Sequence, residues 1–206
     1  LTGGRAKIGM YIALRLLRDG AETTITTRFP NDASRRFMLM PDSSDWLDRL
    51  HIVGIDLRDP AQVEVLADSV AQQGPLDILI NNAAQTVRRS RRSYALLAAA
   101  EEEPLPAGKA PEVLRLGRTS DAHPMAIMGA VTRPTEHHPG IGAAALTTAA
   151  LAGGSSSLTR QLAGTAIDAG GLLPDLQPHN SWTQKVQDID TLELLEVQLA
   201  NATAPF

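Results

Sequence analysis

The stretch TGGRAKIG, Thr2 to Gly9, constrains this chain more than any other, and only Leu1 precedes it. Gly3, Gly4 and Gly9 stand directly against an apolar periodic run. Glycine is required where a backbone must approach a pyrophosphate closely, and a helix beginning there turns its free N–H groups and positive dipole end toward the anion. Ile8, Ile12 and Leu16 recur every four residues, joined by Tyr11 and Leu17. That spacing predicts a helix with this stripe as its buried face. Asp19-Gly20 marks its stop, since glycine takes the left-handed conformation of a helix C-terminus. Lys7 is followed by Ile8, so the turn is not a Walker A loop. A glycine-rich surface turn is the plain alternative, and the elements that follow argue against it.

Ala21–Thr27, AETTITT, is rich in β-branched residues and predicts a strand, and LHIVGID, Leu50–Asp56, predicts a second. Asp59 then reads as an N-cap, with Pro60 at the first helical position and Gln62 where a capping box takes Glu or Gln. Val63, Leu66, Ala67 and Val70 give that helix an expected buried face, and Gly74-Pro75 ends it. LDILINNAA, Leu76–Ala84, predicts a short apolar strand running into two asparagines. Strands apolar on both faces and alternating with helices imply a parallel sheet covered on both sides. The expected fold class is α/β.

Composition narrows the function. The 206 residues suffice for one sizeable domain, with length alone allowing two. The net charge of −4 argues against nucleic acid as a partner of the whole domain. There is no cysteine, which excludes disulfides and thiolate metal sites and permits a reducing compartment. No run approaches the roughly 18 apolar residues of a membrane span, and no signal-peptide layout is present. The expectations are no metal, no membrane and a cytoplasmic location. Without an initiating Met, the simplest expectation is a fragment.

Three motifs in register resemble the short-chain dehydrogenase/reductases. Their fingerprint T-G-x-x-x-G-x-G falls on Thr2, Gly3, Gly4, Arg5, Ala6, Lys7, Ile8 and Gly9, with Lys7 in place of the middle glycine. Asp56-Leu57 matches the position where the family holds the adenine ring. Asn82, Ala83 and Ala84, in NNAA, resemble the N-N-A-G that lines the cofactor. The resemblance implies a Rossmann-type doubly wound sheet and a nicotinamide cofactor, with these residues as its binding set. It also implies an alcohol or carbonyl substrate and a homo-oligomeric parent. Leu192–Phe206 resembles the family's fourth helix, with Leu192, Leu195, Leu199 and Thr203 on one face. Asn201 then takes the place of the family's active-site asparagine, which helps hold a water and the catalytic lysine in a proton relay.

The expected organisation is residues 1–86 and 182–206 from the dinucleotide-binding domain, with 87–181 an irregular or helical insertion. The cluster Arg88–Arg92 is expected in a solvated loop balanced by the run Glu101–Glu103. Glu136-His137-His138 and Ser155–Ser157 lack the spacing of a metal site or a nucleophile elbow and receive no chemistry. The family's catalytic pair is Y-x-x-x-K, which lets tyrosine act as acid/base. It is absent here: Tyr11 is followed four positions on by Arg15, and Tyr94 by Ala98. The resemblance therefore implies a piece of a reductase cut within strand 1 and again after helix 4. Its sheet is expected to be incomplete, with a gap between strands 2 and 4, and the chain to be inactive alone and to bind cofactor weakly.

The strand Ala21–Thr27 ends without the acidic residue that binds a ribose 2′-OH, and Arg28 follows directly. An arginine fork there pairs with a 2′-phosphate, so NADP(H) is expected over NAD(H). A non-catalytic dinucleotide-binding protein, or an insertion serving as a protein-docking element, stays open at this stage.

Overall fold

The computed structural model describes residues 1–116, 142–152, 160, 165–175 and 179–206. The expected incomplete Rossmann-type α/β arrangement is present: a parallel sheet flanked by helices. Helix α1 (Lys7–Arg18) leads to β1 (Thr23–Thr27), α2 (Pro30–Met38), β2 (Leu50–Gly54) and α3 (Pro60–Gln72). Then follow α4 (Arg91–Glu102), β3 (Glu112–Arg115) and α5 (Ala143–Leu151). Helix α6 (Thr191–Gln198) runs into a π turn at Leu199–Thr203.

β2 lies between β1 and β3, all parallel, with Ile25 opposite Ile52 and Ile52 opposite Val113. The N-terminal residues extend the sheet beyond β1. The Leu1 ammonium donates to the Thr24 carbonyl at 2.9 Å, and Thr26 N–H donates to Leu1 at 3.1 Å. On their other side, Thr2 N–H donates to the Ile80 carbonyl at 2.9 Å. The gap expected between strands 2 and 4 is therefore bridged at one end by Leu1 and Thr2.

Two apolar clusters share α2 as their wall. One joins Met10, Ala13, Leu14 and Leu17 of α1 to Ile25, Phe37, Trp46, Leu50 and Ile52. The other packs Leu97 and Ala100 of α4 against Ala143, Leu146 and Ala150 of α5. The small-residue segment Gly140–Leu158 thus contains a packed helix over 143–151. Glu136–His138 and Ser155–Ser157 lie outside the described residues.

Several expectations are corrected. The buried face of α1 is Met10, Ala13, Leu14 and Leu17, whereas Ile8 and Tyr11 are 70% and 74% exposed. The glycine loop sets this phase. Gly9 must face inward, because a Cβ there would lie 2.1 Å from the Gly3 carbonyl oxygen, and Ala13 follows it one turn on. In α3, Val63, Leu66 and Val70 are only half-buried and Ala67 is exposed; Gln62 is the buried residue. The Asp59 cap forms as expected, accepting from Ala61 N–H at 3.2 Å. Gln62 does not close a capping box; its Oε1 instead accepts from Asp56 N–H at 3.0 Å.

Leu76–Ala84 forms no strand, and Leu76, Ile78 and Leu79 are exposed. In α6 the inward residues are Leu192, Glu193 and Glu196, followed by Ala200, while Leu195 and Thr203 face out. Glu196 is drawn inward by ion pairs with Arg58 and Arg88, and the π turn shifts the phase beyond it. Lastly, the segment 87–181, expected to hold only loops and helices, adds a strand to the sheet. β3 satisfies the outer edge of β2, which would otherwise present a row of unpaired backbone groups.

Candidate functional site: a cationic cleft at the glycine loop

The chain from Leu1 to Gly9 turns sharply between β1 and α1. Gly3 has φ +68° and Lys7 φ +53°, both left-handed. Lys7 thus adopts a backbone conformation ordinarily left to glycine, at a strain cost of about 1–2 kcal/mol for an L residue. A Cβ on Gly4 would meet Ile25 at 2.5 Å, so the loop lies flat on β1. Thr2 fixes the opposite wall: its Oγ1 accepts from the N–H groups of Asn82 and Ala83, each at 3.0 Å. Asn82 Nδ2 returns to the Thr2 and Gly3 carbonyls at 3.2 Å.

These contacts enclose a cleft of about 900 Å³. Of the sequence-predicted residues, Gly3, Arg5, Lys7, Ile8 and Gly9 line one wall. Asn82, Ala83 and Ala84 line another, and Arg28, Asp56 and Leu57 the far end. Thr2, Gly4 and Asn201 stand behind the lining. The cleft gathers six cationic side chains, Arg5, Lys7, Arg28, Arg58, Arg88 and Arg89, against the carboxylates Asp56 and Glu196. A chain of net charge −4 thus presents a locally cationic cavity, which is the electrostatic requirement for a pyrophosphate.

Most of these charges are already engaged. Arg5 donates to Asp32 Oδ2 at 2.5 Å and to the Gly170 carbonyl at 2.9 Å. Asp32, fully buried, also accepts from Arg36 Nε at 2.6 Å and Thr147 Oγ1 at 3.2 Å. Burial opposes its ionisation, but the two guanidinium groups outweigh that and hold its carboxyl below the usual range. Lys7 Nζ reaches Asp168 at 3.3 Å.

At the far end Arg58 chelates Asp56, with Nη2 at 2.5 Å from Oδ2, and its Nη1 reaches Glu196 at 2.8 Å. Burial raises the Asp56 pKa, yet the hydrogen bonds and charge of Arg58 prevail and hold it at about 2. Arg28 makes no ion pair among the described residues; its Nη2 lies 3.3 Å from Tyr94 Oη.

Asn201 pairs with the main chain of Gln85. Its Oδ1 accepts the Gln85 N–H at 2.7 Å, and its Nδ2 donates to the Gln85 carbonyl at 2.9 Å. It sits inside the π turn, a departure from α geometry that is frequent at functional sites. Arg88 is not balanced by Glu101–Glu103. It pairs with Asp190 at 3.2 Å and Glu196 at 3.5 Å. Glu101 instead caps α2, accepting from the N–H groups of Asn31 at 2.6 Å and Asp32 at 3.0 Å. The helix N-terminus, a local positive end, outcompetes a solvated arginine for that carboxylate.

Sequence reasoning did not single out Phe29, Arg58 or Tyr94 for the cleft. For Arg58 a signal existed: its N–H donates to Asp56 Oδ1 at 3.1 Å, an Asx-type local bond readable from the Asp-x-Arg spacing. For Tyr94, brought in by α4, there was none. Among the described residues no helix is long and apolar enough to cross a membrane.

The sequence profile of short chain dehydrogenases matches residues 1–101. Over 94 residues the chain is 41% identical to an uncharacterised protein of Acanthamoeba polyphaga mimivirus, covering 42% of this chain and 20% of that protein. It is 37% identical over 83 residues to a "Probable oxidoreductase" of Streptomyces lividans and to another of Streptomyces antibioticus, covering 40% of this chain and 27% of each relative. The match thus spans a fifth to about a quarter of the relatives' lengths. No solved structure matches the chain. The glycine loop, the Asp56-Leu57 turn and the Asn82–Ala84 wall, which meet at one cleft, all lie inside residues 1–101, the region that matches the short-chain dehydrogenases.

Proposed function

We propose that this chain is the cofactor-binding part of an NAD(P)-dependent oxidoreductase that interconverts an alcohol and a carbonyl, with NADP(H) preferred. The observation carrying the reading is the cleft itself: a left-handed glycine loop at the N-terminus of α1, opening onto a cationic cavity whose far end holds Arg28. The residues fit a dinucleotide. Gly9 leaves no room for a side chain, so the first turn of α1 packs directly on the loop at Gly3, and the first N–H groups of α1 supply donors. When bound, the nicotinamide supplies hydride chemistry.

The chain's own residues bind and orient. Lys7 stands at the loop as a cation that can exchange Asp168 for phosphate, since that ion pair is solvent-exposed and therefore weak. Arg5 is committed to Asp32 and shapes the loop from behind. Asp56, held ionised by Arg58, offers a carboxylate edge for an adenine amine. Asn201 anchors the π turn to Gln85, which follows directly on the Asn82–Ala84 wall. Each side-chain amide atom makes one bond there, leaving a second lone pair on Oδ1 and a second N–H on Nδ2. A tyrosine–lysine acid/base pair is absent from these 206 residues, and removal of such a general acid/base costs about 10²–10⁴ in rate.

Calorimetric titration with NADPH and NADH tests the reading. NADPH is expected to bind more tightly than NADH, with the difference lost in Arg28→Ala. A NADH preference that survives Arg28→Ala overturns the cofactor assignment. The 206-residue chain is expected to oxidise no NADPH above background with a panel of ketones and aldehydes. Robust turnover would show that other residues supply the acid/base.

A further inference from the structure

We propose that Tyr94, on α4, is a positioning residue for Arg28 and thereby a determinant of selectivity for 2′-phosphorylated adenosine nucleotides. The inference rests on the functional reading above and extends it to a part of the chain outside the family's binding motifs.

Arg28 lines the far end of the cleft directly after β1 and is itself exposed, where an arginine would ordinarily sample many rotamers. Here two rings and a hydroxyl confine it. Its guanidinium carbon lies 5.2 Å from the centroid of Tyr94 and 5.6 Å from that of Phe29, within cation–π range of both. The rings are stacked, 6.1 Å apart and 17° from parallel. The Arg28 Nη2 to Tyr94 Oη bond adds a direction to the contact. One donor of the guanidinium fork is thereby used, and four N–H groups remain for an oxyanion. Arg28 makes no ion pair among the described residues, and the nearby Asp56 carboxylate, which its charge helps keep ionised, is already chelated by Arg58.

Tyr94 is itself held from behind. Glu101, two turns along α4, caps α2, and Arg35 of α2 donates to the Ala100 carbonyl at 2.9 Å. Ser93 is buried, and its carbonyl accepts from Leu173 N–H at 3.0 Å. The ring therefore stands on a fixed helix, and a cation resting on it is ordered before any ligand arrives. Pre-ordering removes a cost that binding would otherwise carry.

The experiment compares binding of adenosine 2′,5′-bisphosphate and adenosine 5′-monophosphate by the full chain, by Tyr94→Phe, Tyr94→Ala and Arg28→Ala. The readout is the ratio of the two affinities, which a general loss of fold does not move. Wild type is expected to favour the bisphosphate and Arg28→Ala to abolish the preference. Tyr94→Phe keeps the ring and loses one hydrogen bond, and is expected to lower the ratio about 2- to 10-fold. Tyr94→Ala, losing the ring as well, is expected to lower it by about tenfold or more. If Arg28→Ala abolishes the preference while both Tyr94 variants retain the wild-type ratio, the role of Tyr94 is overturned and the cofactor reading stands. If wild type shows no preference or binds neither nucleotide, the cofactor reading falls and this inference falls with it.

Discussion

Leu50–Gly54 reads LHIVG and Leu76–Ile80 reads LDILI, and in each case an apolar five-residue run follows helical turns and leads toward the cleft. The first is β2, hydrogen-bonded to β1 on one edge and β3 on the other, with Leu50 and Ile52 fully buried. The second forms no strand, and Ile78 and Leu79 are 59% and 62% exposed. Its described main-chain neighbour is Thr2, through one bond to Ile80. The difference lies in their partners. A strand is a property of a pair, and apolar alternation alone carries no ladder with it. In α3, too, Val63, Leu66 and Val70 stay half-buried.

The comparison can be broken first at α2, the wall that covers the paired side. Asp32→Ala leaves Arg36 buried without its carboxylate, and removing one partner of such a pair costs about 3–5 kcal/mol. Chemical denaturation should register that loss. An effect near zero would mean that the Arg5–Asp32–Arg36 junction does not hold the two clusters together.

A matched pair of truncations comes next. Ile52→Ala is expected to cost about 2–5 kcal/mol, and Ile78→Ala to stay within about 0.5 kcal/mol. Equal losses in denaturant melts would show that Leu76–Ile80 is buried in solution.

Asp56 stands where β2 hands over to α3, and its acid titration reads that junction. Its carboxyl is lowered from 3.8 to about 2 in the folded chain. Its contribution is thus complete above the unfolded value and is lost as pH falls through the folded one. Linkage puts that loss at about 2 kcal/mol. Arg58→Ala should flatten this part of a stability-against-pH curve, and an unchanged curve would remove Arg58 as the cause.

The smallest effect is expected at the loop between the two sides. Lys7→Gly relieves a left-handed lysine and gives up an exposed ion pair, for a net gain of about 1 kcal/mol. A lowered melting temperature would mean that the Asp168 contact outweighs the strain.

Local rules made the start of this chain legible. The glycine loop, the existence of α1, the strands β1 and β2 and the Asp59-Pro60 start of α3 all follow from spacings of a few residues. The glycine-loop, Asp56-Leu57 and Asn82–Ala84 motifs also converge on the cleft, because Asp56-Leu57 follows the end of β2 and Thr2 ties the glycine loop to Asn82 and Ala83. Legibility faded where two equally good local answers existed. α1 carries two apolar stripes, and only the contact between Gly9 and Gly3 selects the one containing Met10 and Leu14. α6 reads as a leucine stripe until Arg58 and Arg88 draw Glu196 inward.

The sequence by itself determined the α/β class, the phosphate-type loop and the absence of a Y-x-x-x-K pair, since these depend on composition, short-range periodicity and identity. Tertiary structure alone decided which apolar run became a strand, that Glu112–Arg115 would close the edge of β2, and that Asp32 would engage Arg5. It also decided that Tyr94 would reach Arg28. Each of these pairings joins residues separated by at least 27 positions. Free energy for such contacts comes from burial and from ion pairs shielded from water, and neither exists until the chain has folded back on itself.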